Sequence, residues 1–262
     1  MSITLTALHR YPVKGLNAES LERVALRPGE GIPGDRAYAM AHGSAPWDPG
    51  EPRWLPPKYF FTLRNTPRLA QLQAAFEPES GLLTLQRQGR RVARGEVGTP
   101  LGRSMIGQFL AGFLGDDGRG VPKLVEAGAA GALADVPDPW ISLLNLESVA
   151  DLARVARGPV DPRRFRANLW MAGAAAWSEL EWIGREISVG DLRLRVVEPI
   201  ERCAATNVDP ETAAVDMNLP LLLRRGYGHV HMGLYCEVLS EGSIAVGDPI
   251  AVPSAPAQPL PF

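Results

Sequence analysis

Ile187-Ser188-Val189-Gly190-Asp191-Leu192-Arg193-Leu194-Arg195-Val196-Val197 runs directly into Glu198-Pro199-Ile200-Glu201-Arg202-Cys203-Ala204-Ala205-Thr206-Asn207-Val208-Asp209-Pro210. The first part alternates apolar and polar residues on either side of Gly190-Asp191, which predicts two antiparallel strands around a tight turn. The second part begins apolar and breaks into turn-forming polar residues. Cys203 therefore falls at the lip of a sheet, beside the guanidinium of Arg202. A neighbouring cation favours the thiolate, the form that attacks electrophiles and binds soft metals. Taken alone, the position fits equally well with a small, inert core residue, because unpaired cysteines are often buried.

Short strands of the same style extend on both sides. Ile3 to His9, Leu21 to Leu26 and Arg36 to Met40 alternate, and a glycine-rich turn, Pro28-Gly29-Glu30-Gly31-Ile32-Pro33-Gly34, separates the last two. Residues 42–57 hold Pro46, Pro49, Pro52, Pro56 and Pro57 with Trp47 and Trp54, which predicts an irregular loop. Leu82 to Gln86 and Arg91 to Ala93 predict a hairpin around Gly89, and Met105, Ile106, Phe109, Leu110 and Phe113 fall at helical spacing within Ser104 to Leu114. In the second half, Trp140 to Leu144 predicts a strand leading into a helix from Glu147 to Ala156, and Phe165 to Met171 a further strand. Leu234 to Leu239 and Ser243 to Val252 predict a last hairpin turned by Glu241-Gly242. The fold class expected is mainly β with a few helices (α+β), built as barrels rather than as a doubly wound sheet. Gly, Asp and Pro cluster at Asp116 to Val121, so the expected units are residues 1–118 and 119–253, with 254–262 as a flexible tail.

Composition narrows the class. The chain has 262 residues, 45% of them hydrophobic and 21% charged, with a formal net charge of −2. That balance gives no reason to expect a nucleic-acid or membrane partner, and no apolar stretch reaches the roughly 18 residues of a membrane span. Met1-Ser2-Ile3-Thr4-Leu5-Thr6 lacks the plan of a signal peptide, so a cytoplasmic location is expected. Two cysteines make no disulfide framework and cannot hold a plant-type iron–sulfur cluster, which needs four. Arginine carries nearly all the basic charge; Lys14, Lys58 and Lys123 are the only lysines.

Five motifs stand in order: Tyr11-Pro12-Val13-Lys14-Gly15 after the first strand, Gly34-Asp35-Arg36, Phe165-Arg166-Ala167-Asn168, Glu201-Arg202-Cys203 with Asn207-Val208-Asp209-Pro210-Glu211-Thr212, and Gly233-Leu234-Tyr235 before Gly242-Ser243-Ile244-Ala245-Val246-Gly247-Asp248-Pro249. The series resembles the MOSC family, named for the C-terminal domain of molybdenum cofactor sulfurase. It is most similar to members with an N-terminal MOSC barrel, such as the mitochondrial amidoxime-reducing component and its bacterial relatives. The resemblance implies a MOSC β-barrel with an N-terminal β-barrel-like lobe and a molybdenum cofactor, a pterin dithiolene with a phosphate on its tail. It implies that Cys203 supplies a thiolate to molybdenum, that Lys14 and Arg36 meet the phosphate, and that Arg166 and Asn168 hold the pterin. Gly15 would approach the cofactor through its backbone where relatives have serine, Glu201 and Arg202 would flank the metal ligand, and Tyr235 would line the site with Cys203. Asp135-Val136-Pro137-Asp138-Pro139 lacks the Thr-Ser pair that those relatives place before Trp140.

The activity so implied is reduction of N-hydroxylated substrates (amidoximes, hydroxylamines, hydroxylated bases). Electrons would come from a separate ferredoxin- or cytochrome b5-type protein. The alternative is a non-catalytic carrier of the cofactor, or of sulfur on Cys203. Other motifs weigh less. His229 and His231 share a face of an extended segment but have no third ligand nearby, and the reading favoured is a structural pair. A Cys203–His231 nucleophile lacks an orienting motif. Cys236 sits within an apolar strand and is expected to pack. Gly29-x-Gly31-x-x-Gly34 matches a dinucleotide fingerprint in letters only, with two prolines and no helix after it.

Overall fold

The computed structural model describes residues 2–115, 119–128 and 131–252. The expected tail at 254–262 lies outside the described residues, as do residues 116–118 of the Asp116 to Val121 stretch.

From the N-terminus, β1 (Ile3–Arg10) is followed by β2 (Glu19–Leu21), β3 (Arg23–Leu26) and β4 (Tyr38–Ala41). After the proline-rich loop come β5 (Leu72–Glu77), β6 (Leu82–Arg87) and β7 (Arg90–Glu96), then α1 (Pro100–Leu114) and β8 (Lys123–Glu126). The second half holds β9 (Ile141–Asn145), α2 (Leu146–Ala156), β10 (Leu169–Ala172), β11 (Glu186–Val189), β12 (Leu192–Glu201), α3 (Leu219–Tyr227), β13 (His231–Val238), β14 (Gly242–Ala245) and β15 (Pro249–Ala251).

Seven strands close a barrel in the order β10-β9-β13-β12-β11-β15-β1 and back to β10. Closure removes the free edges that would otherwise invite pairing with other chains. Only β9 and β10 run parallel, and α2 with the following loop makes the crossover that a parallel pair requires. Alternation decides which side chains face in. Leu192, Leu194 and Val196 of β12 are fully buried while Arg193 and Arg195 are exposed. Leu5, Leu8, Leu143, Leu169, Met171, Ile187, Val189, Leu234 and Cys236 fill the same core. Each large apolar side chain so buried stabilises the fold by about 1.5–3 kcal/mol.

The N-terminal half adds the antiparallel sheet β5-β6-β7, with α1 packed on it. Thr99 caps α1 by accepting a hydrogen bond from Gly102 N at 3.0 Å, and Pro100 opens the first turn. The two halves of the chain are interlaced: β1 lies in the barrel between β10 and β15, β3 pairs with β14, and β4 pairs with β8.

Two expected elements differ. Phe165 to Met171 does not form one strand: Pro162–Phe165 is a turn of 3-10 helix, Arg166 adopts a left-handed backbone (φ 52°), and extension begins only at Leu169. The expected last hairpin separates as well, because β14 takes β3 as its partner and β15 fits between β11 and β1. Local alternation marks strands but cannot say with which distant strand each one pairs.

Candidate functional site

A cleft of about 520 Å³ opens between one end of the barrel and the N-terminal half. Lys14, Gly15, Arg36, Arg166, Asn168, Glu201, Arg202, Cys203 and Tyr235 all line it. Motifs up to about 220 positions apart in sequence therefore meet in one place.

Strand β12 delivers the thiol. Its pairing with β13 slips between Val196 and Glu198 and again between Pro199 and Glu201. Such bulges bend a strand and re-aim its side chains, and they tolerate a proline that an unbroken ladder would reject. Beyond them the chain leaves the sheet, and Cys203 is exposed at the start of a short 3-10 turn, Ala204–Asn207. Cys236 is buried in the barrel wall, where burial pushes its thiol up to about 12.

Four cations make the floor. Arg202 donates from Nε to Met232 O (2.7 Å) and from Nη1 to Phe165 O (2.8 Å), and burial pulls its guanidinium down to about 10. Arg166 donates from Nη1 to Leu16 O at 2.6 Å, and burial lowers it too. Arg36 pairs with Asp35 and donates to Arg166 O at 3.1 Å. Burial works against its charge, but Asp35, Asp135, Tyr11 and Tyr235 together outweigh that and raise it. Lys14, with only 4% of its side chain exposed, donates to Leu133 O (2.8 Å) and to Asp135 Oδ1 (2.5 Å); burial lowers its pKa against the pull of Asp135. Both Arg36 (4.9 Å) and Arg166 (4.4 Å) lie over the Tyr11 ring, whose electron-rich face attracts each guanidinium.

Backbone conformation sets these side chains. Arg36 (φ 50°) and Arg166 (φ 52°) both hold left-handed conformations that cost non-glycine residues free energy, and such strain clusters at functional sites. Gly15 (φ +86°) sits tightly against its surroundings: a Cβ there would come 3.2 Å from Leu69 Cδ1 and 3.3 Å from Phe61 O. The cleft therefore meets backbone at this point, where relatives are expected to carry a serine.

The remaining expected residues hold lesser stations. Asn168 is pinned to two strands, β9 and β1. Its Oδ1 accepts from Ser142 N (3.2 Å) and Oγ (2.8 Å), and its Nδ2 donates to His9 O (3.2 Å), which leaves one amide hydrogen. The Tyr235 ring lies 5.8 Å from that of Trp140, tilted at 44°, and burial raises its hydroxyl pKa, so Oη keeps its proton. Glu201 stands on the rim, 80% exposed, 3.9 Å from His231 Nε2. His231 stacks on His229 at 5.4 Å, and no group of three or more metal-ligating side chains occurs among the described residues.

Sequence reasoning passed over Tyr11, Asp135, Ser142 and Arg164. Tyr11 stood inside a quoted motif and Asp135 inside the segment noted before Trp140, though neither was given a role; Ser142 and Arg164 are marked by no local pattern. Arg164 ties Asn207 O (3.1 Å) and Asp209 (3.0 Å) beneath the thiol-bearing turn. Trp54, from the proline-rich loop, donates from Nε1 to Ala134 O (3.1 Å), next to Asp135.

The donor set fits a phosphorylated heterocycle with a soft metal. Nη2 of Arg166 and Nη2 of Arg202 are buried without a hydrogen-bond partner, a condition that costs about 1–3 kcal/mol or more per charged group unless a ligand meets it. The thiol at Cys203 is open to the same cleft.

A closed seven-strand barrel with a cationic cleft and a thiol at its mouth defines the class. Residues 131–251 match the MOSC domain and residues 2–105 the MOSC N-terminal beta barrel domain, so the chain belongs to the MOSC family. It is 30% identical over 122 residues to mitochondrial amidoxime reducing component 2 of Rattus norvegicus, covering 42% of this chain and 36% of that protein. It is 29% identical over 120 residues to mitochondrial amidoxime-reducing component 1 of Homo sapiens, covering 41% and 35%. The matched segment thus spans about a third of the length of these relatives. Among solved structures, the YUAD protein from Bacillus subtilis aligns over 95% of this chain and 94% of its own, with a TM-score of 0.44 and 15% identity. No helix among the described residues is long and apolar enough to cross a membrane.

Proposed function

We propose that this chain binds a molybdenum cofactor and reduces N-hydroxylated compounds. The observation that supports the reading most directly is the convergence of an exposed cysteine with four cations, two of them holding unpartnered buried N–H groups, in one cleft. When bound, the cofactor supplies the two-electron chemistry that cleaves an N–O bond. Cys203 Sγ would hold the metal, and Lys14 with Arg36 would receive the phosphate. Arg166 and Arg202 each offer an open Nη2 to acceptors on the heterocycle, with the last amide hydrogen of Asn168 beside them. Tyr235 Oη keeps its proton in the same cleft as Cys203, a donor for the hydroxide that leaves the substrate as water. Ala134, Asp135, Val136 and Trp140 line the mouth, and Trp54 of the proline-rich loop braces them through its bond to Ala134 O. Electrons come from a separate protein, since two cysteines cannot ligate a four-cysteine cluster. Relatives named as amidoxime reducing components support the substrate class.

Metal and pterin analysis of the purified chain tests the binding step, with about one molybdenum per chain expected. Cys203→Ser should keep the fold and lose benzamidoxime reduction with an artificial donor by at least about 100-fold, as expected when a ligand to the reacting centre is removed. The exposure of Cys203 also suits a carrier that hands on cofactor or sulfur. A wild-type chain full of molybdenum yet inert towards every N-hydroxylated compound would decide for the carrier.

A further inference from the structure

Two carboxylates act on the cations Lys14, Arg36, Arg166 and Arg202, and these two are held very differently. Asp35 is buried and built in: its Oδ1 accepts from Tyr11 N at 2.7 Å, and its other oxygen pairs with Arg36. Asp135 belongs to the loop before Trp140, its side chain is 62% exposed, and it reaches in to place Oδ1 2.5 Å from the buried Lys14 ammonium. Its charge is felt at Lys14, Arg36, Arg166 and Arg202 alike. The Asp135 carboxylate thus sits where four positive fields converge, on the lysine that would receive a ligand's anionic tail.

We infer that Asp135 is a specificity-determining residue, an internal anion that an incoming group must displace from Lys14, so that the cleft admits phosphate monoesters and rejects carboxylates. The inference rests on the reading that an anionic tail seats at Lys14. An arriving carboxylate would only exchange one carboxylate for another, and Asp135, being tethered, competes at an effective concentration on the order of millimolar or above. A phosphate monoester carries about −1.5 to −2 charge and three acceptor oxygens. It can take the Lys14 hydrogen bond and at the same time engage the Arg36 guanidinium in the same cleft. Held on Lys14, Asp135 also keeps the buried ammonium paired until the ligand arrives, which avoids the cost of a lone buried charge.

The test uses the full chain made in a host unable to synthesise the pterin, titrated calorimetrically with inorganic phosphate and, separately, with acetate. Wild type should bind phosphate and ignore acetate. Asp135→Ala should bind phosphate about tenfold more tightly, the scale of one partly buried ion pair, and should gain acetate binding, because acetate refills the vacated position. Asp135→Asn keeps the shape without the charge and should reproduce the phosphate gain if the alanine variant does not fold. Phosphate affinity unchanged or weaker in both variants, no phosphate binding by any of the three chains, or an alanine variant that ignores acetate would overturn the inference. Absence of molybdenum from the native protein, with the phosphate and acetate results as expected, would remove the proposed function and leave this inference standing. Molybdenum present with unaltered phosphate affinity would do the reverse.

Discussion

At Cys203 and Cys236 the same side chain serves two ends. Cys236 is enclosed by the barrel core and its thiol is held at about 12, so it stays protonated and out of reach; Cys203 is exposed. Cofactor-free native protein should take up one equivalent of a maleimide, and Cys203→Ser should take up none, as read by intact mass; two equivalents on the folded chain would contradict the placement of Cys236. Asp135 gives the pH test. Its pKa in the fold, about 2, lies below the ordinary 3.8. Desolvation of the carboxylate oxygen that faces the cleft would raise it, but the Lys14 ammonium at 2.5 Å outweighs that, although the outer side of the side chain is exposed. Its stabilising effect is therefore complete above about pH 5 and is lost as pH falls through 3.8 towards 2. Asp135→Asn should lose less stability than wild type between pH 4 and pH 2, seen as a shallower fall in urea midpoint; equal slopes would count against the ion pair. Cys203 and the four cations were legible because each stood in a short motif with its own chemistry. Asp135 was not, since its segment stood out only for lacking a Thr-Ser pair and its partner Lys14 lies 121 residues away.

Elements carry the site through their irregularities. The two register slips in β12 turn a core strand into a ligand-bearing rim. Gly233 in β13 faces them with φ +76°, and a Cβ there would lie 2.7 Å from Leu143 O of β9 and 3.2 Å from Arg202 Nη2. Gly233→Ala should cost about 2–4 kcal/mol in urea unfolding, from the strained backbone and the clash with a strand that cannot yield. It should also displace Arg202; an alanine variant as stable as wild type would show that the glycine is incidental. Alternation read β1, β11 and most of β12 correctly because those strands have one buried and one exposed face. It failed at Phe165 to Asn168, where apolar Phe165 and Ala167 are buried by a turn rather than a strand. It also passed over β5, β8 and α3, whose short apolar patterns become decisive only once packed.

The whole molecule depends on β1, which closes the barrel between β10 and β15 and also carries β2. A fragment of residues 119–253 would lack that strand and the β3 partner of β14, leaving open edges and an uncovered core. It is expected to aggregate or stay unfolded by circular dichroism and gel filtration, and a co-expressed segment containing β1 to β4 should recover soluble complex. A monomeric fragment with cooperative unfolding would refute this. Mainly β architecture followed from strand density; interlacing of the two halves did not, because it is written in pairings between distant strands. The bond from the Trp54 indole to the Ala134 carbonyl has a consequence of its own. It makes the proline-rich stretch a splint for the doorway while the residues behind it stay fixed to the barrel. Exchanging that splint between relatives would change the size and polarity of what is let in, with the chemistry behind it left alone.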